Sequence, residues 1–236
     1  MDLILIAAAL SADLSRCRFA PPVAHVYNPI EYARTPHDLY LSRYGTPAKE
    51  AVFIGMNPGP WGMAQTGVPF GEVAAVREWL KIEAPVGKPA GEHPKKQVTG
   101  FACKRSEVSG RRLWGLFKSR CGQAERFFER FFVLNYCPLL FLDAEGRNLT
   151  PDKFRPAERE PLHKACDLAL RRSVEYLRPR LVIGIGNFAA ERAAIALHGL
   201  DIQVGRILHP SPASPAANRN WEEAALKQLR ELEVEL

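Results

Sequence analysis

The amino-acid sequence predicts an α/β protein, a three-layer sandwich with a central, mainly parallel four-stranded sheet flanked by helices. Four short apolar runs, each ended or interrupted by turn residues, are typical of strands buried on both faces of a parallel sheet. Segments with helical spacing lie between these runs, and this alternation favours right-handed crossovers. The chain has 236 residues, 47% of them hydrophobic and 25% charged, enough to bury a core without metal or disulfide support. We therefore expect a single domain over residues 1–236.

The elements are predicted in order along the chain. An apolar segment at the start is interpreted as a buried first helix that ends near Arg18. The predicted strands are Ala51–Met56, Phe131–Leu142, Leu181–Gly186 and Val204–Leu208. The predicted helices between and after them are Val73–Leu80, Arg111–Phe117, Glu158–Leu177, Phe188–Leu197 and Trp221–Leu232. The segment Ile82–Ser106 is rich in Pro, Gly and Lys and has little periodicity, so we expect a surface excursion there.

Features of the N-terminus and the cysteines predict the compartment. The first apolar segment lacks the positively charged start of a secretion signal, and Asp2 has the opposite sign. No apolar run approaches the ~20 residues that cross a bilayer. The five cysteines are scattered along the chain, which predicts reduced thiols. They form no C-x-x-C pair, so the spacing that is usual for cysteine ligands of zinc and iron–sulfur clusters is absent. We expect a cytoplasmic protein with no membrane partner, associated with the nucleoid if it is bacterial.

Candidate site residues follow the predicted strands, because ligands of an open parallel sheet bind beyond the carboxyl ends of its strands. Loops dense in Gly and Pro, 57–71 and 209–220, follow the first and last strands, and Asn135 lies within the second run. None of these three places contains a carboxylate, which argues against the paired carboxylates of glycoside hydrolases. Phosphate-loop and nucleophile-elbow patterns are also missing. Amides, one imidazole, backbone donors and aromatic rings remain, and these suit a base edge and base stacking.

The charge of the chain is compatible with nucleic acid but does not demonstrate it. Lys and Arg total 32 and Asp and Glu total 26, for a net charge of +6, which is a mild basic bias. The cations Lys95, Lys96, Lys104 and Arg105 fit a phosphate-binding face and a solvated surface equally well. Ser109, Gly110 and Arg111 are stronger phosphate candidates, because they come at the start of a predicted helix whose amides can hold an anion.

Two long motifs resemble the signatures of the single-strand-selective monofunctional uracil-DNA glycosylases, within the uracil-DNA glycosylase superfamily. They are Gly55–Gly71 (GMNPGPWGMAQTGVPFG) and His209–Trp221 (HPSPASPAANRNW). Shorter segments resemble the same family in the same order, namely Val108–Gly115, Asn135–Leu139 and Gly184–Ala189. The resemblance runs from about Tyr27 to Trp221 and suggests a bacterial member. It implies the fold of that superfamily, DNA as the partner, a monomer, and no metal or organic cofactor.

The resemblance also implies roles for individual residues. Asn57 matches the residue that holds the attacking water, and His209 matches the residue that hydrogen-bonds the uracil O2. Asn135 matches the residue that reads the N3–H and O4 edge, and Phe70 matches the ring that stacks on the flipped base. Gly59 and Met63 match positions beside C5, and Met56 completes the predicted substrate-binding set. The predicted DNA contacts are Ser109, Gly110, Arg111, Ser211, Pro212, Ala213, Ser214 and Arg219.

The implied activity is excision of uracil, and of C5-oxidised uracils such as 5-hydroxymethyluracil, from single- and double-stranded DNA in base-excision repair. The small Gly59 would leave room for a C5 substituent. The stretch after the His-Pro-Ser-Pro motif begins with Ala213 and has Arg219 as its only basic residue, whereas vertebrate members carry a more basic wedge. This departure bears on how well the protein opens a duplex. Two alternatives stay open: the same fold acting on xanthine or hypoxanthine, and a catalytically silent DNA-binding module.

Overall fold

A computed structural model describes all residues 1–236. The helices are α1 Leu3–Leu14, α2 Pro29–Tyr32, α3 Arg34–Tyr44, α4 Met63–Thr66, α5 Val108–Cys121, α6 Ala124–Arg130, α7 Pro156–Leu177, α8 Asn187–Ala196 and α9 Pro215–Glu231. The strands are β1 His25–Tyr27, β2 Ala51–Gly55, β3 Phe131–Asn135, β4 Leu140–Leu142, β5 Asn148–Leu149, β6 Leu181–Ile185 and β7 Gln203–Ile207. A π-helical turn at Ala75–Trp79 and short 3₁₀ turns at Gly100–Ala102 and Pro151–Lys153 complete the elements.

The central sheet has four parallel strands in the order β3-β2-β6-β7. Strands β2 and β3 are aligned so that Gly55 lies opposite Asn135. The two strands therefore end at the same level, and the loops that follow them begin side by side. The predicted fold class, a helix-flanked parallel sheet, is confirmed.

Helices cover both faces of this sheet. Phe53 of β2 packs against Phe117 of α5, with ring centroids 5.1 Å apart. On β6, Ile183 pairs with Phe53, so Gly184, one residue later, points to the opposite face. A β-carbon at Gly184 would collide with the backbone of α8. Helices α5 and α8 thus lie on opposite sides, and the glycine permits the close approach of α8.

The apolar run Phe131–Leu142 is two strands, and its prediction as one strand is wrong. It contains β3 of the central sheet and β4, which belongs to a separate antiparallel sheet of order β1-β4-β5. Pro138 lies between them, and proline cannot donate to a strand ladder. A continuous apolar run has no alternation, so periodicity alone could not show the break.

Several predicted helices differ in their bounds. The helix predicted at Val73–Leu80 is the π-helical turn, and the helix predicted from Trp221 belongs to α9, which begins six residues earlier at Pro215. Helices α3 and α6 were not predicted at all. The excursion Ile82–Ser106 contains no strand, yet Val98 and Phe101 are buried, so it is anchored to the body of the protein. None of the helices combines the length and the hydrophobicity that a membrane span requires.

Candidate active site

A cleft of about 640 Å³ lies where the loops that follow β2, β3 and β7 meet. The sequence-predicted residues that line it are Met56, Asn57, Gly59, Met63, Phe70, Ser109, Asn135, His209, Ser211, Pro212, Ala213 and Ser214. Residues that the sequence reasoning did not assign to a site also line it, namely Pro58, Pro60, Trp61, Ser106, Glu107, Val108, Asn148 and Thr150. The fold thus brings most of the candidates to one place.

Backbone hydrogen bonds hold the first and second loops together beyond the ends of their strands. The Tyr136 N–H donates to the Gly55 carbonyl at 2.8 Å, and the Cys137 N–H donates to the Met56 carbonyl at 2.9 Å. The pairing of β2 with β3 therefore continues into the loops. Asn57 and Asn135 project from this paired backbone, so their separation is set by the sheet.

The Asn57 amide has a fixed orientation. Its Nδ2 donates to the Leu139 carbonyl at 3.2 Å. The NH₂ group is thereby engaged by the protein, and Oδ1 is the atom left to accept a hydrogen bond. Asn57 is only partly buried and lines the cleft, so a water molecule can reach that oxygen.

The Asn135 amide is oriented by Met63. Its Nδ2 donates to the Met63 Sδ at 3.2 Å. The NH₂ group has a second hydrogen that remains for a ligand acceptor, and Oδ1 remains for a ligand donor. The sequence did not identify this partner of Asn135, because Met63 comes from a different loop.

Gly55 lies beneath Asn135 and Phe70, and sequence reasoning did not assign it to the site. A β-carbon at Gly55 would stand 2.5 Å from Cε2 of Phe70 and would also collide with the Asn135 Oδ1. Phe70 itself has a φ of 52°, in the left-handed region that non-glycine residues rarely adopt. Such conformations persist where the surroundings enforce them and are common at functional sites. The loop thus holds the Phe70 ring against the end of β2.

His209 is held as a neutral imidazole with a defined tautomer. The Ser211 N–H donates to its Nδ1 at 3.0 Å, so the neutral ring carries its proton on Nε2. Burial lowers the pKa of His209 to about 4. Near neutral pH the ring is therefore an uncharged Nε2–H donor. The centroid of the His209 ring lies 6.1 Å from that of the Phe70 ring. Gly186, which has a φ of 92°, packs against the β-carbon of His209.

Helix α5 ties down the loop that follows His209. The Arg112 guanidinium donates to the Pro210 carbonyl at 2.9 Å and to the Asn218 Oδ1 at 3.1 Å. The Asn218 amide in turn donates to the Pro212 carbonyl at 2.6 Å. Pro212 and Ala213 form an exposed, uncharged tip. Arg112 was not among the predicted site residues, although it lies within a motif segment.

Trp61 lines the cleft, and two cations lie over its ring. The Arg105 guanidinium lies 4.5 Å from its ring centroid and the Lys96 ammonium lies 5.0 Å away. Cations at this distance from an aromatic face are attracted to it. Of the four cations whose role the sequence leaves open, these two therefore lie against a ring that lines the cleft, although neither lines the cleft itself.

Three predicted DNA contacts do not line the cleft. Gly110 is buried, and a β-carbon there would collide with the Phe70 carbonyl. Its smallness lets α5 pack against the Phe70 loop. Arg111 and Arg219 are exposed on α5 and α9, outside the cleft lining. Their contact with DNA stays a prediction.

Glu107 contributes the carboxyl group of the cleft. It directly precedes α5 and lies against Gly59 and Gly62. Burial, together with the nearby Glu72, raises the pKa of Glu107 to about 7. Its Oε2 is shielded from solvent and has no hydrogen-bond partner. The sequence reasoning found no carboxylate in the three strand-end loops, and Glu107 enters the cleft from a fourth segment.

The side chains of the protein are not arranged as a metal site. No group of three or more His, Cys, Asp or Glu residues could hold a metal ion. All five cysteines are free thiols.

Comparison with known proteins shows which family this chain is similar to. The family described as the Uracil DNA glycosylase superfamily matches residues 42–232. A relative from Mus musculus named "Single-strand selective monofunctional uracil DNA glycosylase" is 53% identical over 225 residues, which cover 94% of this chain and 81% of the relative. The Rattus norvegicus protein of equivalent name is 54% identical over the same shares, and that of Bos taurus is 52% identical, with 83% of its length covered.

A solved structure shares the fold at much lower sequence identity. The crystal structure of wild-type Pedobacter heparinus SMUG2 aligns with a TM-score of 0.67 over 97% of both chains, at 15% identity. That likeness concerns the fold alone, whereas the curated relatives identify the family. The family predicted from the two long motifs is confirmed: this chain belongs to the single-strand-selective monofunctional uracil-DNA glycosylases of the Uracil DNA glycosylase superfamily.

Proposed function

We propose that this chain is a monofunctional uracil-DNA glycosylase of base-excision repair. It binds a uracil turned out of the DNA strand, hydrolyses the N-glycosidic bond and leaves an abasic site. The observation that carries the proposal is the convergence of a neutral Nε2–H donor on His209 with two oriented amides, Asn57 and Asn135, in one cleft. The names of the curated relatives support the same activity.

His209 supports departure of the base. Cleavage leaves an oxocarbenium-like sugar and a uracil anion, and negative charge develops on O2. The Nε2–H of His209 donates to that oxygen, and the donor is already oriented because Ser211 holds Nδ1. Preorganised donors of this kind stabilise a transition state more than free water does. A neutral imidazole is sufficient, since it needs only to donate a hydrogen bond.

Asn57 orients the water that completes the hydrolysis. An amide does not take up a proton near neutral pH, so it cannot act as a strong base. Its free Oδ1 can accept a hydrogen bond from a water molecule and aim that water at C1′ of the sugar. The bond to the base must therefore break largely before water attacks.

Asn135 selects uracil over cytosine. Its Oδ1 accepts from N3–H and its second amide hydrogen donates to O4. Cytosine has an unprotonated N3 and an amino group at C4, so both pairings are lost. Unpaired polar groups in a closed site make such discrimination strong. Because Met63 engages the other amide hydrogen, the amide resists the half-turn that would suit cytosine.

The DNA strand crosses the cleft between the rim and the loop of Pro212 and Ala213. Lys96 and Arg105 attract phosphates beside Trp61, and the exposed tip enters the gap left by the flipped nucleotide. We propose that a single copy acts on uracil and on C5-oxidised uracils in single- and double-stranded DNA. Extrusion is least costly from single strands and mismatches, and the uncharged tip adds little attraction for a duplex.

A cleavage assay tests the function. A labelled oligonucleotide with one uracil, either single-stranded or paired with guanine, is incubated with the protein in EDTA and then treated with alkali. We expect alkali-dependent breaks on both forms. Asn57→Ala should abolish most of this activity, whereas Asn187→Ala, which changes an exposed asparagine at the start of α8 outside the cleft, should retain it. Breaks without alkali, or no breaks on either form, would contradict the proposal.

A further inference from the structure

The loop that follows His209 leaves none of its main-chain N–H groups without an acceptor. Residues 210–214, which we call the wedge loop, include two prolines, and a proline has no N–H group. The Ser211 N–H donates to the His209 Nδ1 at 3.0 Å, and the Ala213 N–H donates to the Ser211 Oγ at 3.1 Å. The Ser214 N–H donates to the Ser211 carbonyl at 3.0 Å. The donors of the wedge loop are therefore all engaged before any ligand binds.

Two side chains from outside the wedge loop hold the carbonyl groups of its prolines. The Arg112 guanidinium donates from Nη1 to the Pro210 carbonyl at 2.9 Å and from Nη2 to the Asn218 Oδ1 at 3.1 Å. The Asn218 Nδ2 donates to the Pro212 carbonyl at 2.6 Å. Arg112 belongs to α5 and Asn218 belongs to α9. This Arg112–Asn218 clamp therefore connects the wedge loop to two helices at once.

The tip of the wedge loop can act on DNA through its shape and not through charge. Pro212 and Ala213 are exposed and carry no charge. A loop that is already rigid loses little conformational freedom when it enters the gap left by a flipped nucleotide, whereas a mobile loop must first be ordered. Taking a base out of a paired stack costs free energy that the inserted loop has to offset. Rigidity of the wedge loop therefore matters most where a base pair must be opened.

We propose that Arg112 and Asn218 are positioning residues that set how well this protein excises uracil from duplex DNA. This inference rests on the glycosylase function proposed above and concerns its choice between single and double strands. The clamp holds the wedge loop in the shape that fills the gap. A single strand depends little on this help, because it has no base pair to open. The need for the clamp rises from a single strand to a mismatch with guanine, and rises again to a pair with adenine.

Excision kinetics on three substrates test the assignment. The kcat/KM values of the wild type, Arg112→Met and Asn218→Ala are measured on one labelled oligonucleotide with a single uracil that is unpaired, paired with guanine or paired with adenine. In either variant we expect the loss to be about tenfold larger for the adenine pair than for the single strand, with the guanine mismatch in between. The loss in the double variant should be smaller than the product of the two single losses, because both residues serve one clamp.

A third variant separates geometry from charge. Arg112→Lys keeps the positive charge but lacks the planar fork that reaches two acceptors. We expect this variant to show most of the same graded loss across the three substrates. A wild-type gradient in Arg112→Lys would mean that the charge alone is needed, as in contact with a phosphate, and would overturn the proposal.

A matched control comes from the same pair of helices. Arg120→Met changes another arginine of α5, whose partner Glu222 on α9 lies 3.3 Å away in an exposed ion pair, and it should keep the wild-type gradient. If Arg112→Met does not fold, Asn218→Ala still tests the clamp, because Asn218 is exposed. Equal losses on all three substrates in the folded clamp variants overturn the role in duplex opening alone. Failure of the wild type to excise uracil from any of the three overturns both proposals.

Discussion

The two sides of the cleft differ in how their polar groups are paired. On the His209 side, Ser211 holds the imidazole nitrogen at 3.0 Å and Arg112 fixes the loop behind it. On the Glu107 side, a carboxyl group rests on Gly59 and Gly62, and one of its oxygens has no partner. A group that is paired before the substrate arrives has a fixed direction, which suits stabilisation of a transition state. The Glu107 carboxyl has no such partner, and burial together with Glu72 raises its pKa to about 7, so the charge on this side of the cleft changes with pH near neutrality.

The largest effect is expected on the His209 side. His209→Ala removes the donor to O2, and the rate of uracil excision should fall by about 10²–10³-fold, the typical loss for one such donor. Single-turnover cleavage of a single-stranded uracil oligonucleotide measures it. His198→Ala, an exposed histidine outside the cleft, is the matched control. If His209→Ala excises uracil at a rate within a few fold of the wild type, the hydrogen bond from His209 to O2 does not stabilise the transition state.

A second variant changes Gly55, which lies beneath Phe70 and Asn135. Gly55→Ala introduces a β-carbon that must displace Phe70 and Asn135, so the base-reading amide loses its position. We expect excision to fall on the order of 100-fold, since displacement by about 1 Å costs that much. Gly115→Ala is the control, because a β-carbon there meets nothing within 4 Å. Equal activity of both alanine variants would mean that Gly55 serves no purpose in the site.

The unpaired carboxyl should also be visible in folding stability. The pKa of Glu107 rises from its ordinary value of 4.5 to about 7 in the folded protein. The folded state therefore holds this proton more tightly than the unfolded state, and stability from this group is lost as pH rises through 7. Glu107→Gln carries no charge, so at pH 8 it should be more stable than the wild type by on the order of 2 kcal/mol.

Urea unfolding of both proteins at pH 5 and pH 8 measures this difference. At pH 5 the wild-type carboxyl is mostly protonated in the folded state, so the advantage of glutamine should shrink. An advantage of the same size at both pH values would point to packing, not charge, as its cause.

The smallest effect is expected from Ser211→Ala. The bond to His209 comes from the backbone N–H of Ser211, which alanine keeps. The lost side chain accepts only the Ala213 N–H, at 3.1 Å in an exposed turn. We expect uracil excision to change by less than about threefold, because an exposed neutral hydrogen bond contributes little. A much larger loss, measured in the same assay as His209→Ala, would show that the hydroxyl itself takes part.

The sequence predicted the central sheet and most of the cleft because both depend on local patterns. Strands β2 and β6 are short, fully buried apolar runs and β3 begins one, whereas β7 carries the exposed Gln203 and Arg206. Asn57, Asn135 and His209 follow or end these strands. Parallel order then brings the ends of the strands together. The roles of these residues were predicted from the family resemblance of the two long motifs, because a pattern of hydrophobicity does not predict the role of a side chain.

The features that escaped prediction are contacts between distant segments. Glu107 enters the cleft from the start of α5, and Met63 orients an amide 72 positions away in the chain. Gly55 has no side chain, and this allows Phe70 and Asn135 to pack directly against its backbone. The break at Pro138 lies within a run that is apolar on both sides of it. The contacts of Glu107, Met63 and Gly55 depend on three-dimensional packing, which a single sequence does not display.

The continued pairing of β2 with β3 beyond their last residues has a consequence for how this protein can change. Two backbone hydrogen bonds, at 2.8 and 2.9 Å, join the stretches from which Asn57 and Asn135 project, so their spacing depends on main-chain groups that every residue except proline supplies. Glu107 belongs to another segment. The part of the cleft that the segment before α5 contributes can therefore change in sequence without loss of the hydrogen bonds that set the spacing of Asn57 and Asn135.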